Sequence, residues 1–235
     1  MIGIFDSGIG GVTVLNKIIQ RFPNYKYLYY SDSINNPYGD KSKEELLEIV
    51  KKIISYLINK GSQIIVIGCN TVSTICYDEL VKEFSIPIIK IEPPSKRLLG
   101  KTLIMATSGT INSKRFKEII KNYDEENTFI CKCSGLADLI EKNNKKEIKN
   151  FLNKNISKFR GVDNIVLGCT HYPLIKKEIE NVLGNVIFYD GSEKVINELE
   201  KYVIKIKESD FEINFIDSSY LKIKEERFYQ ELRDK

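Results

Sequence analysis

Ile64-Ile65-Val66-Ile67-Gly68-Cys69-Asn70-Thr71 and Asn164-Ile165-Val166-Leu167-Gly168-Cys169-Thr170-His171 are two versions of one segment, set 100 residues apart. Each begins with a short apolar run rich in β-branched residues. Such a run is apolar on both faces, as in a strand buried between helices. Each then passes through Gly-Cys and two polar residues into a helical pattern. A second pair lies outward at about the same offset. The run 2–5 ends in Asp6-Ser7-Gly8, and the run 103–107 is followed by Ser108-Gly109-Thr110. The chain therefore reads as two related α/β lobes facing each other.

The rest of the chain fits that frame. Strands are expected over residues 2–5, 27–30, 64–67, 86–91, 102–106, 129–131, 165–167 and 186–189. Helices are expected over 12–21, 43–59, 72–84, 113–122, 136–143, 146–158, 174–182 and 192–207. Such alternation implies mostly parallel sheets sandwiched by helices, with a site in the cleft between the lobes. Consecutive prolines in Glu92-Pro93-Pro94 mark the boundary. The first lobe is expected to comprise 1–93 with about 208–235, and the second about 94–207. A strand near 212–216 and a helix from Leu221 onward would return to the first lobe.

Composition narrows the function. The 235 residues carry 36 basic and 32 acidic side chains, a net charge of +4 without a concentrated basic stripe. The basic segment 142–149 is broken by Asn and Glu. A solvated helix face is the plain reading, and no nucleic-acid partner is expected. No apolar run reaches membrane-spanning length, and no leader pattern precedes the first strand. Five cysteines without a leader fit reduced thiols and a cytoplasmic protein.

Cys69 and Cys169 each sit at the carboxyl end of a strand, where open α/β sheets hold their ligands. Each precedes a helix, whose positive end would lower a thiol pKa and whose N–H groups would hold a carboxylate. A lone cysteine there is commonly an inert core residue. Two at matching positions of a duplicated unit point to chemistry. Inverting a stereocentre needs a base on one face and an acid on the other. Asp6 would accept a proton from Cys69 or pair with an ammonium. His171, the one histidine, would assist Cys169. Pro37-Tyr38-Gly39 is a turn, with the Tyr38 hydroxyl and the Gly39 N–H placed to hold a carboxylate.

Other patterns lead nowhere. Gly8-Ile9-Gly10-Gly11 lacks the third glycine of a dinucleotide loop, having Thr13 there. It reads instead as a tight turn exposing N–H groups. Cys131-x-Cys133 has no second cysteine pair to complete a zinc site, so no metal is expected.

Taken together, the stretch 2–11, Asn36-Pro37-Tyr38-Gly39, Gly68-Cys69-Asn70-Thr71, Ile91-Glu92-Pro93 and Gly168-Cys169-Thr170-His171-Tyr172-Pro173-Leu174 resemble the glutamate racemases of the aspartate/glutamate racemase family. The likeness runs to about Ile179. His171 is the glutamate-type form; aspartate-type relatives usually carry Glu there. The resemblance implies pyridoxal-independent interconversion of L- and D-glutamate for peptidoglycan, with no cofactor and often as a homodimer. It implies Cys69 and Cys169 as the acid/base thiols, assisted by Asp6 and His171. It implies that Asp6, Ser7, Pro37, Tyr38, Gly39, Asn70, Thr71, Thr170 and His171 bind the substrate. Thr110 matches a further site threonine, and Glu141 a family glutamate near the cleft. Ala106, Pro94 and the segment 134–138 depart from the family pattern. Competing readings are an aspartate or other amino-acid racemase, a non-catalytic binding protein on the same scaffold, and a thiol redox protein. The last lacks a Cys-x-x-Cys motif.

Overall fold

The computed structural model describes residues 1–233. Asp234 and Lys235, the end of the expected C-terminal return, lie outside the described residues. Among the described residues nine strands form two sheets. The first contains β1 (Ile2–Asp6), β2 (Lys26–Ser31), β3 (Ile64–Ile67) and β4 (Ile88–Lys90). The second contains β5 (Thr102–Ala106), β6 (Thr128–Lys132), β7 (Asn164–Gly168) and β8 (Ile187–Tyr189). The last strand, β9 (Glu212–Asp217), returns to the first sheet.

The duplication is visible in the hydrogen bonding. The strand orders are β4-β3-β1-β2-β9 and β6-β5-β7-β8. Reversed, the second sheet repeats the first, with β9 as an extra edge strand. Ile2 pairs with Ile64 and Thr102 with Asn164, so even the register repeats at 100 residues. All strand pairs are parallel.

Both faces of each sheet are buried, which explains the unbroken apolar runs. In the first lobe Ile2, Ile4, Ile64 and Val66 face one core, and Phe5, Ile65 and Ile67 the other. In the second, Leu103, Met105, Ile165 and Leu167 face one core, and Ile104 and Val166 the other. Side chains alternate because successive strand residues point to opposite faces.

The helices supply the outer layers. The first lobe is flanked by α1 (Val12–Arg21), α2 (Lys43–Asn59), α3 (Asn70–Ile75) and α4 (Tyr77–Glu83). The second is flanked by α5 (Ser108–Asn112), α6 (Lys114–Ile120), α7 (Leu136–Glu141), α8 (Lys145–Asn155) and α9 (Lys176–Leu183). Ser42 starts α2 by accepting a hydrogen bond from the Glu45 N–H at 3.1 Å. Leu46, Val50, Ile53, Ile54 and Leu57 then form its buried stripe. The helix expected over 72–84 is two helices broken at Cys76. Thr74 Oγ1 bonds back to the carbonyls of Asn70 and Thr71, a contact that bends helices.

The last two helices, α10 (Ser192–Val203) and α11 (Lys222–Arg233), pack on the first sheet. α10 falls in the stretch 94–207 assigned from sequence to the second lobe. Its buried stripe, Val195, Leu199 and Val203, instead joins the core of Ile4 and Val66. The chain thus leaves the second lobe before Ser192. An ion cluster fastens this crossing. Glu92, fully buried at the end of the first lobe, accepts from Arg115 of α6 at 2.9 and 2.7 Å. It also accepts from Lys194 of α10 at 2.5 Å and pairs with Lys90 at 3.2 Å. Burial alone would raise its pKa, but these cations bring it down to about 2.

Phe228 of α11 is fully buried, with its ring 4.3 Å from Phe215 and 5.0 Å from Tyr29. Phe228→Ala should therefore lower folding stability by about 3–5 kcal/mol, read as a fall in the urea midpoint. An unchanged midpoint would mean that α11 does not contribute to the first-lobe core.

Candidate active site between the lobes

The strand ends of both sheets converge on one cavity. Cys69 follows β3 as the N-cap of α3, and Cys169 follows β7. Both thiols line the cavity, with Ser7, Pro37, Tyr38, Gly39, Asn70, Thr71, Thr170 and His171. Asp6 and Thr110 are fully buried behind its wall. The cavity volume is about 30 Å³, roughly one water's share of the liquid. A larger groove of about 710 Å³ lies outside and shares Gly39, Asp40 and Ser108 with the cavity. It contains neither thiol.

The surroundings of the two thiols differ. Position 6 is Asp and its counterpart at 106 is Ala, so only Cys69 has a strand-end carboxylate beside it. Asp6 Oδ2 accepts from the Gly11 N–H at 2.5 Å and from Thr170 Oγ1 at 3.1 Å. Its Oδ1 is buried without a partner. Burial raises the Asp6 pKa to about 6, against the opposing pull of His171 and its hydrogen bonds. Cys69 does not follow the expected helix-end effect. Burial, then the Asp6 charge, push its thiol well above the ordinary range, and the N–H groups of Val72 and Thr71 offset only part of this. A desolvated thiol next to a carboxylate favours its neutral form.

Cys169 has a cationic partner. Its Sγ lies 3.8 Å from His171 Nδ1, and His171 Nε2 lies 2.9 Å from Glu141 Oε2. Burial would lower the His171 pKa, but the Cys169 sulfur and the Glu141 carboxylate outweigh it and raise it well above 6.5. Burial would raise Glu141; His171 and Lys224 reverse that and bring it to about 2. Lys224 of α11 reaches Glu141 Oε1 at 2.5 Å, and the Ile9 N–H reaches Oε2 at 3.1 Å.

This contact gives the glycine loop its purpose. A Cβ on Gly10 would lie 2.5 Å from His171 Nδ1, and one on Gly8 2.5 Å from Glu141 Oε2. The loop is bare so that the second lobe's imidazole and carboxylate can dock on it.

Two other expectations change. The Tyr38 hydroxyl donates to Asp32 Oδ2 at 2.5 Å, so it is committed away from a ligand. At that turn Gly39 lies against Thr107, with 3.3 Å between a built Cβ and the Thr107 Cβ. Thr110 supports the site indirectly: its Oγ1 accepts from Thr107 Oγ1 at 3.0 Å, and Thr107 lies 3.0 Å from Thr71 Oγ1. Thr107 itself lines the cavity and was not singled out as a site residue. It is the counterpart of Ser7 at the 100-residue offset, so the duplication carried the signal. Among the described residues no cluster of three or more His, Cys, Asp or Glu side chains is placed to hold a metal ion. No described helix is long and apolar enough to cross a membrane.

The unpartnered carboxamide oxygen of Asn70 joins Asp6 Oδ1 as a second buried acceptor lacking a donor. Buried acceptors are normally satisfied, and an ammonium is a ligand that supplies several donors. The rest of the lining is hydroxyl-rich, with Ser7, Thr71, Thr107, Ser108, Ser134 and Thr170. Fold and site together define an α/β enzyme in which two thiols line one small cavity between the lobes.

Comparison with known proteins agrees. The Asp/Glu/Hydantoin racemase family model matches residues 25–199, and the chain belongs to that family. It is 39% identical over 212 residues to the glutamate racemase of Clostridium perfringens, covering 85% of this chain and 82% of that protein. Among solved structures, glutamate racemase from Aquifex pyrophilus matches with a TM-score of 0.76 and 29% identity, over 98% of this chain and 94% of that one. The Francisella tularensis enzyme in complex with D-glutamate matches with a TM-score of 0.78 and 26% identity, over 97% and 93%.

The His171–Glu141 pair has a definite pH signature. The Glu141 contribution to stability is present above about 4.5 and is lost as pH falls through about 2. The His171 contribution is complete below 6.5 and is lost as pH rises through its raised folded value. In Glu141→Gln the His171 titration followed by NMR should move down toward 6.5, and alkaline loss of stability should begin at lower pH. An unmoved titration would mean that the carboxylate does not hold the imidazolium.

Proposed function

We propose that this chain is a glutamate racemase working by proton transfer between two thiols. The observation that carries this is the meeting of Cys69 and Cys169, from matching positions of two duplicated lobes, in one closed cavity. The named relatives supply the substrate: each of the three is a glutamate racemase.

The substrate ammonium takes the open acceptor of Asn70, with the Asp6 carboxylate buried behind it, and the carboxylates take hydroxyls and backbone N–H groups of the wall. One thiolate removes the α-proton, breaking the C–H bond. The opposite thiol delivers its proton to the other face of the carbanion. The product has the inverted configuration, and the two sulfurs have exchanged protonation states. Asp6, with a pKa of about 6, relays protons at Cys69. His171 Nδ1, 3.8 Å from the Cys169 sulfur, is placed to hydrogen-bond it during the transfer.

D-glutamate made this way supplies peptidoglycan synthesis in the cytoplasm. A homodimer is part of the proposal. Ile34, Tyr220, Leu221 and Ile223 are exposed, and the Ile34 N–H bonds Ser218 Oγ beside them. Exposed apolar side chains of this kind are ones that a second copy would cover.

Cys69→Ser and Cys169→Ser should each lower racemisation by roughly 10²–10⁴-fold, the usual worth of a positioned acid or base. Each variant should still exchange the α-proton of one enantiomer. The assay is incubation with L-glutamate, and separately L-aspartate, in D2O, followed by NMR and polarimetry. Deuterium uptake with loss of rotation on glutamate supports the proposal. Uptake on aspartate alone changes the substrate, and parental rates in either variant overturn the two-thiol mechanism.

A further inference from the structure

One further thiol, Cys133, lines the same cavity, and a second, Cys131, lies beside it; both are buried. Cys131 is in β6, an edge strand, and Cys133 follows its end. Residues two apart on a strand face the same side. Their sulfurs are 3.6 Å apart, with the Cys133 thiol directed at Cys131 Sγ. Cys131 Sγ also lies 3.9 Å from the Asn155 carbonyl. Cys133 is tied to the reaction chamber. Its N–H donates to the Ala106 carbonyl at 2.8 Å, and its carbonyl accepts from the Tyr172 hydroxyl at 3.3 Å. With Ser134 and Gly135 it forms part of the wall around Cys69 and Cys169.

We propose that Cys131 and Cys133 are a redox modification site. Hydrogen peroxide closes them into a reversible disulfide, and closure disables the neighbouring cavity. In the first step the Cys131 thiolate attacks one peroxide oxygen. An S–O bond forms, the O–O bond breaks and hydroxide leaves, taking up a proton to become water. Cys133 sulfur then attacks the sulfenic sulfur. The S–S bond forms, the S–O bond breaks, and water leaves with the Cys133 proton. Two thiols lose two electrons in all, and one peroxide becomes two waters.

The charge environment suits this order. The Cys133 thiol, by donating to Cys131, lowers the Cys131 pKa; burial opposes the effect and Lys158 adds to it. The same contact, together with burial, raises Cys133. The thiolate is the attacking form, so Cys131 reacts first and Cys133 resolves.

Geometry supplies the consequence. Two extended residues span up to about 7 Å, at the upper limit of the Cα separation that disulfides accept. The sulfurs must also close from 3.6 Å to about 2.05 Å. The backbone at Lys132 is therefore drawn in. Cys133 is held at both N–H and carbonyl, so the pull passes to the Ser134–Gly135 wall and to Tyr172, near Cys169. A strained disulfide is also an oxidising one, easily reduced again.

The formation of this bond is independent of the proposed substrate; only its effect on turnover rests on the racemase reading. The test treats the reduced full chain with graded hydrogen peroxide, blocks free thiols with iodoacetamide, and maps peptides by mass spectrometry. Glutamate racemisation and the rate of Cys169 alkylation are followed in parallel. The expected result is loss of two hydrogens from the peptide carrying Cys131 and Cys133, with turnover falling by roughly 100-fold, as for a misplaced catalytic group. Dithiothreitol should restore it, and Cys131→Ser should keep its turnover at the same dose. The proposal is overturned if both thiols stay alkylatable when the parent is inactivated. It also fails if the disulfide forms without changing turnover or Cys169 reactivity, or if Cys131→Ser is lost as fast as the parent. Should the reduced chain not racemise glutamate, the function proposal falls by itself. The peptide map and Cys169 alkylation then decide this one.

Discussion

Glu141 joins the two lobes at one buried point beside the cavity that both thiols line. One carboxylate oxygen accepts from the Ile9 N–H of the first lobe and faces His171 of the second, and the other accepts from Lys224. Three elements distant in sequence are fixed by one buried group. Burying a carboxylate is costly unless it is paired and hydrogen-bonded, and here both conditions are met. The imidazolium, its partner sulfur and the bare glycine loop all take their positions from this contact. If Glu141 shifts, His171 loses its acceptor and Cys169 loses its cation.

The duplication explains why there are two thiols, and its imperfections explain why they differ. Register and strand order repeat, so Cys69 and Cys169 arrive at equivalent strand ends. The groups around them do not repeat. Asp6 faces Ala106 across the pseudosymmetry, and Thr71 corresponds to His171. One thiol is held neutral by burial and a carboxylate, while the other stands beside an imidazolium. A symmetric scaffold thereby presents two thiols in unlike surroundings.

A tightly closed cavity has to open to take in substrate. The Glu92 cluster ties the crossing segment to Arg115 of one lobe and Lys194 of the other. These cations are partly exposed while the carboxylate is not, so the tie sits at the edge of the lobe junction. The proline pair beside it restricts the backbone of the crossing.

The amino-acid sequence by itself determined the two lobes, their parallel sheets and the two cysteines. Those features are local: an apolar run buried on both faces, a strand end, a helix start, repeated at a fixed offset. The tertiary structure decided the rest. It moved α10 to the first lobe, because an amphipathic stripe does not say which of two similar cores will receive it. It committed the Tyr38 hydroxyl to Asp32, turned Thr110 into a support for Thr107, and raised rather than lowered the Cys69 thiol. Each of these depends on groups brought together from separate segments. Burial and charge at a point are sums over everything nearby in space, and adjacency in the chain records only a small part of that sum.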